Sequence, residues 1–464
     1  MKLFRKDPVF YKKVFTLALP IALQSLITIG VNMLDTIMVG SLGENALSAT
    51  SLANSFISIY QIFCMGLGMG ASVLVSRYWG MKSKHDESEE DASRALKQTV
   101  SLMLRITIAL ATLFAVATLL IPGTIMKMYT NDPIIIENGI SYLRYSIVTF
   151  FFLGVSLTTT IVLRSVGQVK LPLFVSIGAF FVNLCANYVF IFGKFGAPRM
   201  EVAGAALGTL IARIFEAAMI LGYLFIVDKR INYRIKDIVM KTGSLVKEYV
   251  RICIPVLISD GILAIGNNSV AMVIGHLSAA FVAANAITSV TQQLSTVVIQ
   301  GVSQAGAIVT GQTLGEGGKS KTMDQGWMFL GLGFSLGAIS ALFIMIFSNP
   351  IIRSYGGVSE ETVEIAKQLM LAISLIIVFQ ATNSIMTKGV LRGGGDTKML
   401  MLTDNIFLWV ISIPLGILAG FVFKLPAFWI YVCLKSDQIV KTFWCVGRLK
   451  SEKWIKKIST GEVK

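Results

Sequence analysis

The sequence predicts an all-α polytopic membrane protein, with twelve transmembrane helices in two six-helix bundles related by a parallel pseudo-two-fold repeat. Three observations lead there. Of 464 residues, 54% are hydrophobic and only 14% charged, and the mean hydropathy is +0.72, whereas a soluble domain carries about 25% charged residues. The apolar residues gather in runs long enough to cross a hydrocarbon layer about 30 Å thick. The second half of the chain also repeats the spacing of the first.

Lys2, Arg5, Lys6, Lys12 and Lys13 precede the first apolar run and imitate a signal peptide. Val14 to Val39 is too long for the apolar region of one, and it contains Pro20, Asn32 and Asp35, so it is kept as the first helix. Runs punctuated by Gly, Pro and charge then predict helices over 14–40, 46–78, 96–121, 137–163, 171–193, 202–227, 249–275, 281–314, 325–347, 363–391, 399–421 and 425–446. The last is the weakest, because Lys435, Asp437 and Lys441 interrupt it; Asp437 and Lys441 stand four apart, as a helical ion pair does. An even number of crossings returns both termini to one side. Loops on that side hold 29 Lys and Arg against 5 on the other, which predicts that both termini are cytoplasmic.

Shifting the chain by 235 residues aligns Pro20 with Pro255, Asn32 with Asn267, Gly40 with Gly275, Gly66 with Gly301 and Gly80 with Gly315. An offset of 228 then aligns Val162-Leu-Arg164 with Val390-Leu-Arg392, Gly167 with Gly395, and Lys170 with Lys398. A repeat of six helices keeps its orientation on duplication, so the halves are parallel repeats about an axis along the membrane normal. The predicted organisation is a bundle over 1–228, a basic cytoplasmic linker over 229–248, and a second bundle with a basic tail over 249–464. A cleft between the first, second, seventh and eighth helices is the architecture of a transporter.

Several chemistries are excluded. The net charge of +15 is accounted for by the cytoplasmic loops, so no nucleic-acid partner is expected. The five cysteines (Cys64, Cys185, Cys253, Cys433, Cys445) lie in apolar runs without a C-x-x-C spacing, and His85 and His276, read as satisfied or solvated, are too few for a metal centre. Gly66-x-Gly68-x-Gly70 lacks the Lys-Ser/Thr of a phosphate loop and reads as close helix packing; Gly393-Gly-Gly-Asp396 is a Gly-rich turn. No cofactor and no enzymatic activity are expected.

On the first helix Gln24, Thr28, Asn32 and Asp35 are spaced four, four and three, so they share a face. A mid-membrane Asp costs about 2.5–3.5 kcal/mol on insertion scales, and such residues usually mark an ion or substrate route. Asn183 and Asn187 share a face of the fifth helix.

Ala18-Leu-Pro-Ile21, Asp35-Thr-Ile-Met-Val-Gly40, Gly66-x-Gly68-x-Gly70, Leu163-Arg-Ser-Val-Gly-Gln168, Asn183 through Gly193, Gly204-Ala-Ala, Pro255 and Leu391-Arg-Gly-Gly-Gly-Asp-Thr-Lys398 occur in that order. Together they resemble the multidrug and toxic compound extrusion (MATE) transporters over nearly the whole chain. The resemblance implies an antiporter that exports amphipathic, cationic drugs or metabolites in exchange for protons or sodium ions. It also implies that the fifth helix faces the first, so that Asp35, Asn183 and Asn187 form the ion-coupling cluster, the only place where sodium is expected. The cavity candidates are Gln24, Thr28, Asn32, Met65, Met69, Asp260 and Asn267.

The second repeat carries Val270 where the first has Asp35, and its tenth helix offers Gln380, Thr382 and Asn383 but no acid before Asp396. This predicts an asymmetric transporter with protons as the first choice of ion and sodium the second. Glu216, three residues after Arg213, reads as an ion pair, while Asp404 and Arg105 have no assigned role. Arg164, Lys170, Arg392, Asp396 and Lys398 read as cytoplasmic caps. A lipid-linked oligosaccharide flippase of the same superfamily is the alternative, and a membrane-embedded transferase a remote one. The expected partners are membrane lipid and an amphipathic small molecule, with the chain acting as a monomer.

Overall fold

The computed structural model describes residues 7–83, 89–354 and 359–456, and every regular element among them is helical. Lys2, Arg5, Lys6 and His85 lie outside the described residues. Eleven helices are long and apolar enough to cross a membrane: α1 Pro8–Gly40, α2 Glu44–Lys82, α3 Glu89–Leu120, α4 Pro133–Ser165, α5 Lys170–Phe192, α6 Glu201–Val227, α7 Gly243–Gly275, α8 Ala279–Gly315, α9 Lys319–Ser354, α10 Glu360–Leu391 and α11 Thr397–Val422. Many begin several residues before the predicted spans, because an apolar run marks only the part that meets hydrocarbon while the backbone ladder continues into the polar layer. The twelfth path, α12, is two helices, Ala427–Leu434 and Ser436–Lys450, broken at Lys435.

The ends of these helices follow from local chemistry. Asp132 caps α4 by accepting from the Ile134 and Ile135 amides at 2.9 and 3.4 Å, with Pro133 in the first turn. Ser278 and Ser359 cap α8 and α10 in the same way. Gly167 and Gly395, paired by the repeat, both have positive φ (80° and 88°) and end α4 and α10 with the same hydrogen-bond pattern. The Gln168 amide donates to the Leu163 carbonyl at 2.9 Å, and the Asp396 amide to that of Leu391 at 3.2 Å.

Two compact units result. One contains Leu23–Cys253; the other contains the described residues up to Ala22 and those from Ile254 on. The division therefore differs from the predicted bundles 1–228 and 249–464, because the opening stretches of α1 and α7 are exchanged. Close packing explains the exchange: a Cβ on Gly301 of α8 would stand 2.6 Å from the Ala18 carbonyl oxygen, and one on Gly70 of α2 would stand 2.1 Å from Cys253 Sγ. The exchange falls beside Pro20 and Pro255, where each helix lacks an internal backbone bond. A Cβ on Gly68 would stand 2.6 Å from the Ile161 side chain of α4, so Gly68 and Gly70 of α2 do serve helix packing.

The predicted linker is a strap rather than a spacer. Arg105 of α3 donates from Nε to the Ile238 carbonyl at 2.7 Å and from its fork to the Met240 carbonyl at 2.7 Å. Lys97 pairs with Asp237 at 3.2 Å, Gln98 donates to the Lys241 carbonyl at 2.8 Å, and Arg230 donates to the Val166 carbonyl at 2.8 Å. The tail does the same for the other unit: Arg448 holds Asp396 by two bonds of 2.7 and 3.0 Å, the Lys456 amide donates to the Gly394 carbonyl at 3.0 Å, and Trp454 is buried over Gly394.

Candidate functional site

The site lies within the unit Leu23–Cys253, where α1, α5 and α6 meet. Small residues make the meeting possible. A Cβ on Gly204 would stand 2.5 Å from the Phe190 carbonyl oxygen, and one on Gly208 would stand 2.1 Å from Asn187 Oδ1. The Gly204-x-x-x-Gly208 face of α6 thus brings the α5 backbone close and leaves room for the Asn187 amide.

Asn187 is fully buried and donates from Nδ2 to Asp35 Oδ1 at 2.6 Å; its distance to Asn183 Oδ1 is 3.3 Å. The three residues of the predicted ion cluster are together. Asn187 Oδ1 is buried with no hydrogen-bond partner among the described residues, and leaving such a group unsatisfied costs about 1–3 kcal/mol. Tyr142 of α4 adds a phenol bonded to Asn54 Oδ1 at 3.3 Å, and the positive charge of Arg213 acts on both Tyr142 and Asp35. Tyr142 was missed in the sequence because a lone tyrosine in an apolar run carries no spacing signal. The oxygens of Asp35, Asn183 and Asn187 are hard donors of the kind a sodium ion takes, and the unpartnered Asn187 Oδ1 fits such an ion.

The remaining candidates divide. Thr28 and Asn32 are exposed on α1 beside the cluster, and Met65 is exposed and Met69 half-buried on α2. Gln24 departs from its predicted place in a cavity wall. It is buried, donates to Ser176 Oγ of α5 at 2.7 Å and accepts from Arg164. In the other unit Asn267 is exposed, whereas Asp260 is held by Arg392 at 3.1 Å. Arg164 and Arg392, expected as cytoplasmic caps, reach inward to Gln24 of α1 and Asp260 of α7, as a buried guanidinium needs acceptors for its N–H groups.

Several other charged side chains of the spanning helices are paired. Arg213 meets Glu216 at 2.5 Å, as its spacing predicted. Lys441 meets Asp437 at 3.0 Å, also as predicted, and Asp404 of α11 joins at 3.3 Å, all three side chains being almost fully buried. Ser412 Oγ donates to Asp437 Oδ1 at 2.9 Å and accepts from the Asp437 amide at 2.7 Å, securing the lower half of α12 just past its break. Gln380 accepts from Gln292 of α8 at 2.9 Å.

The MatE family model matches residues 20–189 and 255–418, once over each repeat. The chain belongs to the MatE family. It is a multi-pass membrane transporter and not an enzyme. An uncharacterized transporter of Bacillus subtilis, YisQ, is 25% identical over 96% of this chain and 95% of its own length. A probable multidrug resistance protein, NorM, of Thermotoga maritima is 27% identical over 97% and 94%. A MATE crystal structure in the straight conformation superposes with a TM-score of 0.84 at 18% identity, covering 97% of this chain and 98% of that one. The likeness of fold extends over nearly the whole of both chains.

Proposed function

We propose that this MatE transporter is an inner-membrane antiporter that exports amphipathic cationic compounds, with both termini in the cytoplasm and Asp35 as the group where ion and substrate compete. The observation that carries the proposal is the bedding of Asp35. Asp260, Asp404, Asp437 and Glu216 each have a cationic partner within 3.3 Å, whereas Asp35 is held by amide groups alone among the described residues. A paired carboxylate cannot release its counter-charge without exposing a buried ion. An amide-bound one can accept a proton or a cation with only local rearrangement. The names of relatives called multidrug resistance proteins support the substrate class.

Exchange then follows from charge. Ionised Asp35 attracts a cationic compound; a proton arriving from outside neutralises it and releases the compound, and loss of that proton inward restores the site. With one proton entering for each monovalent cation leaving, no net charge crosses and the pH difference alone drives the exchange; one pH unit corresponds to about 1.4 kcal/mol, a roughly tenfold gradient, so no nucleotide is required. Sodium is the second choice of ion, accepted by the same oxygens.

The test is uptake of a fluorescent cation into everted vesicles under an imposed proton gradient and, separately, a sodium gradient. Proton-driven uptake that disappears in Asp35→Asn, with protein level and melting temperature unchanged, is the expected result. Asn183→Ala and Asn187→Ala should weaken transport and move its pH optimum. Full coupled activity in well-folded Asp35→Asn would end the proposal.

A further inference from the structure

We infer that the end of α4 remote from Arg164 carries a binding site for one phospholipid headgroup that has both a phosphate and a primary ammonium. The site is a cavity of about 490 Å³ lined by Lys127, Asn131, Glu137, Ser141 and Arg144 with three apolar side chains of α4. Glu137, Ser141 and Arg144, together with Pro133, Ile136 and Ile140, recur at intervals of three and four and therefore form one face of the first three turns of α4. Lys127 ends the short helix Pro122–Lys127 that precedes them. Among the described residues Lys127, Glu137 and Arg144 form no ion pair or side-chain hydrogen bond with any protein group, so three formal charges surround one cavity with their valences unspent.

The depth of this cavity follows from the chain. Residues 145–163 of α4 contain no charged side chain and are bracketed by Arg144 and Arg164. Nineteen helical residues rise about 29 Å, the thickness of the hydrocarbon layer. Arg144 therefore stands at its boundary, and the turns from Pro133 to Arg144 project into the headgroup layer. Leu119, Leu120, Ile121, Met128 and Ile134, at the adjoining chain ends, are exposed apolar residues, a surface suited to acyl chains. Arg and Lys supply the donors a phosphate takes, and an Arg fork does so with two parallel bonds. Glu137 supplies the acceptor for an ammonium. Two cations and one carboxylate match a phosphate ester bearing an amine better than a purely anionic headgroup, which would leave Glu137 facing like charge. With the termini in the cytoplasm this is the outer leaflet; the chemistry of the site is independent of that assignment and of antiport.

The experiment is native mass spectrometry on the full-length protein equilibrated with vesicles of equal parts phosphatidylethanolamine, phosphatidylglycerol and phosphatidylcholine. One phosphatidylethanolamine should remain bound through detergent stripping. Lys127→Ala and Arg144→Ala should each lower its retention about tenfold, the factor that corresponds to a lost charge-assisted bond. Glu137→Gln should keep the phospholipid and erase the preference over phosphatidylglycerol. Melting temperatures check that the variants are folded, and the exposed Lys127 and Glu137 carry the test should Arg144→Ala fail to fold. Equal retention in the wild type and Lys127→Ala would overturn the inference, and so would loss of the adduct on adding millimolar inorganic phosphate, which would mark a site for the free anion.

Discussion

The two repeats use the same arginine for opposite purposes. Arg164 and Arg392 occupy equivalent places just before the positive-φ glycines that end α4 and α10, and both reach inward to the first helix of their repeat. Arg164 meets the neutral Gln24, while Arg392 meets the carboxylate of Asp260. The position equivalent to Asp35 is Val270, a buried apolar residue. In one repeat the acid of the first helix is thus consumed as a counter-ion, and in the other the acid has moved ten residues along the helix into a bed of asparagines. Duplication provided two similar frames, and they differ in whether the acid of the first helix stands against the arginine of its repeat or among asparagines.

The comparison is broken most directly by removing the two acids in turn. Asp35→Asn should reduce gradient-driven export to the level of empty vesicles with the protein still folded. Asp260→Asn should leave export coupled and instead lower stability by about 1.5–3 kcal/mol, because Arg392 loses a charged acceptor. A coupled Asp35→Asn or an uncoupled Asp260→Asn would reverse the roles assigned to the repeats.

Lys441→Ala should have the largest effect on stability alone. It leaves Asp404 and Asp437 buried without their cation, a loss of about 3–5 kcal/mol, visible as a lower melting temperature and poor recovery from detergent. An unchanged melting temperature would show that this triad is not ionised as the geometry implies. The smallest effect is expected from Gln24→Ala, about 1 kcal/mol for a lost hydrogen bond, with export kept, since Gln24 is buried and bonded to Ser176 and Arg164. Loss of export there would return Gln24 to the cavity wall.

Much of this arrangement was legible in the sequence, and the limits have physical causes. Period and charge located the helices, and the offsets of 235 and 228 revealed the repeat. The spacing of Asn183 and Asn187 put them on one face, though only the family resemblance brought that face to Asp35. The Arg213–Glu216 and Asp437–Lys441 pairs were legible because a helix places residues three and four apart together. Asp404 joining Lys441, Arg392 joining Asp260 and Arg105 holding the strap all join residues remote in sequence, and no local pattern encodes a partner 37 or more positions away. The exchange of the opening stretches of α1 and α7 was hidden for the same reason, since the helices themselves continue unbroken through it.

That exchange sets a clock on assembly. Ala18 is made first, yet the Gly301 surface that receives it lies 283 positions later in the chain. At about 5–20 residues per second, the opening turns of the first helix wait roughly 14–57 s in the membrane before their packing partner exists. Cys253 waits for nothing, because Gly70 precedes it. The unit around the leading repeat is therefore complete once Cys253 is made, whereas the second is completed only by reaching back to the oldest described residues of the chain.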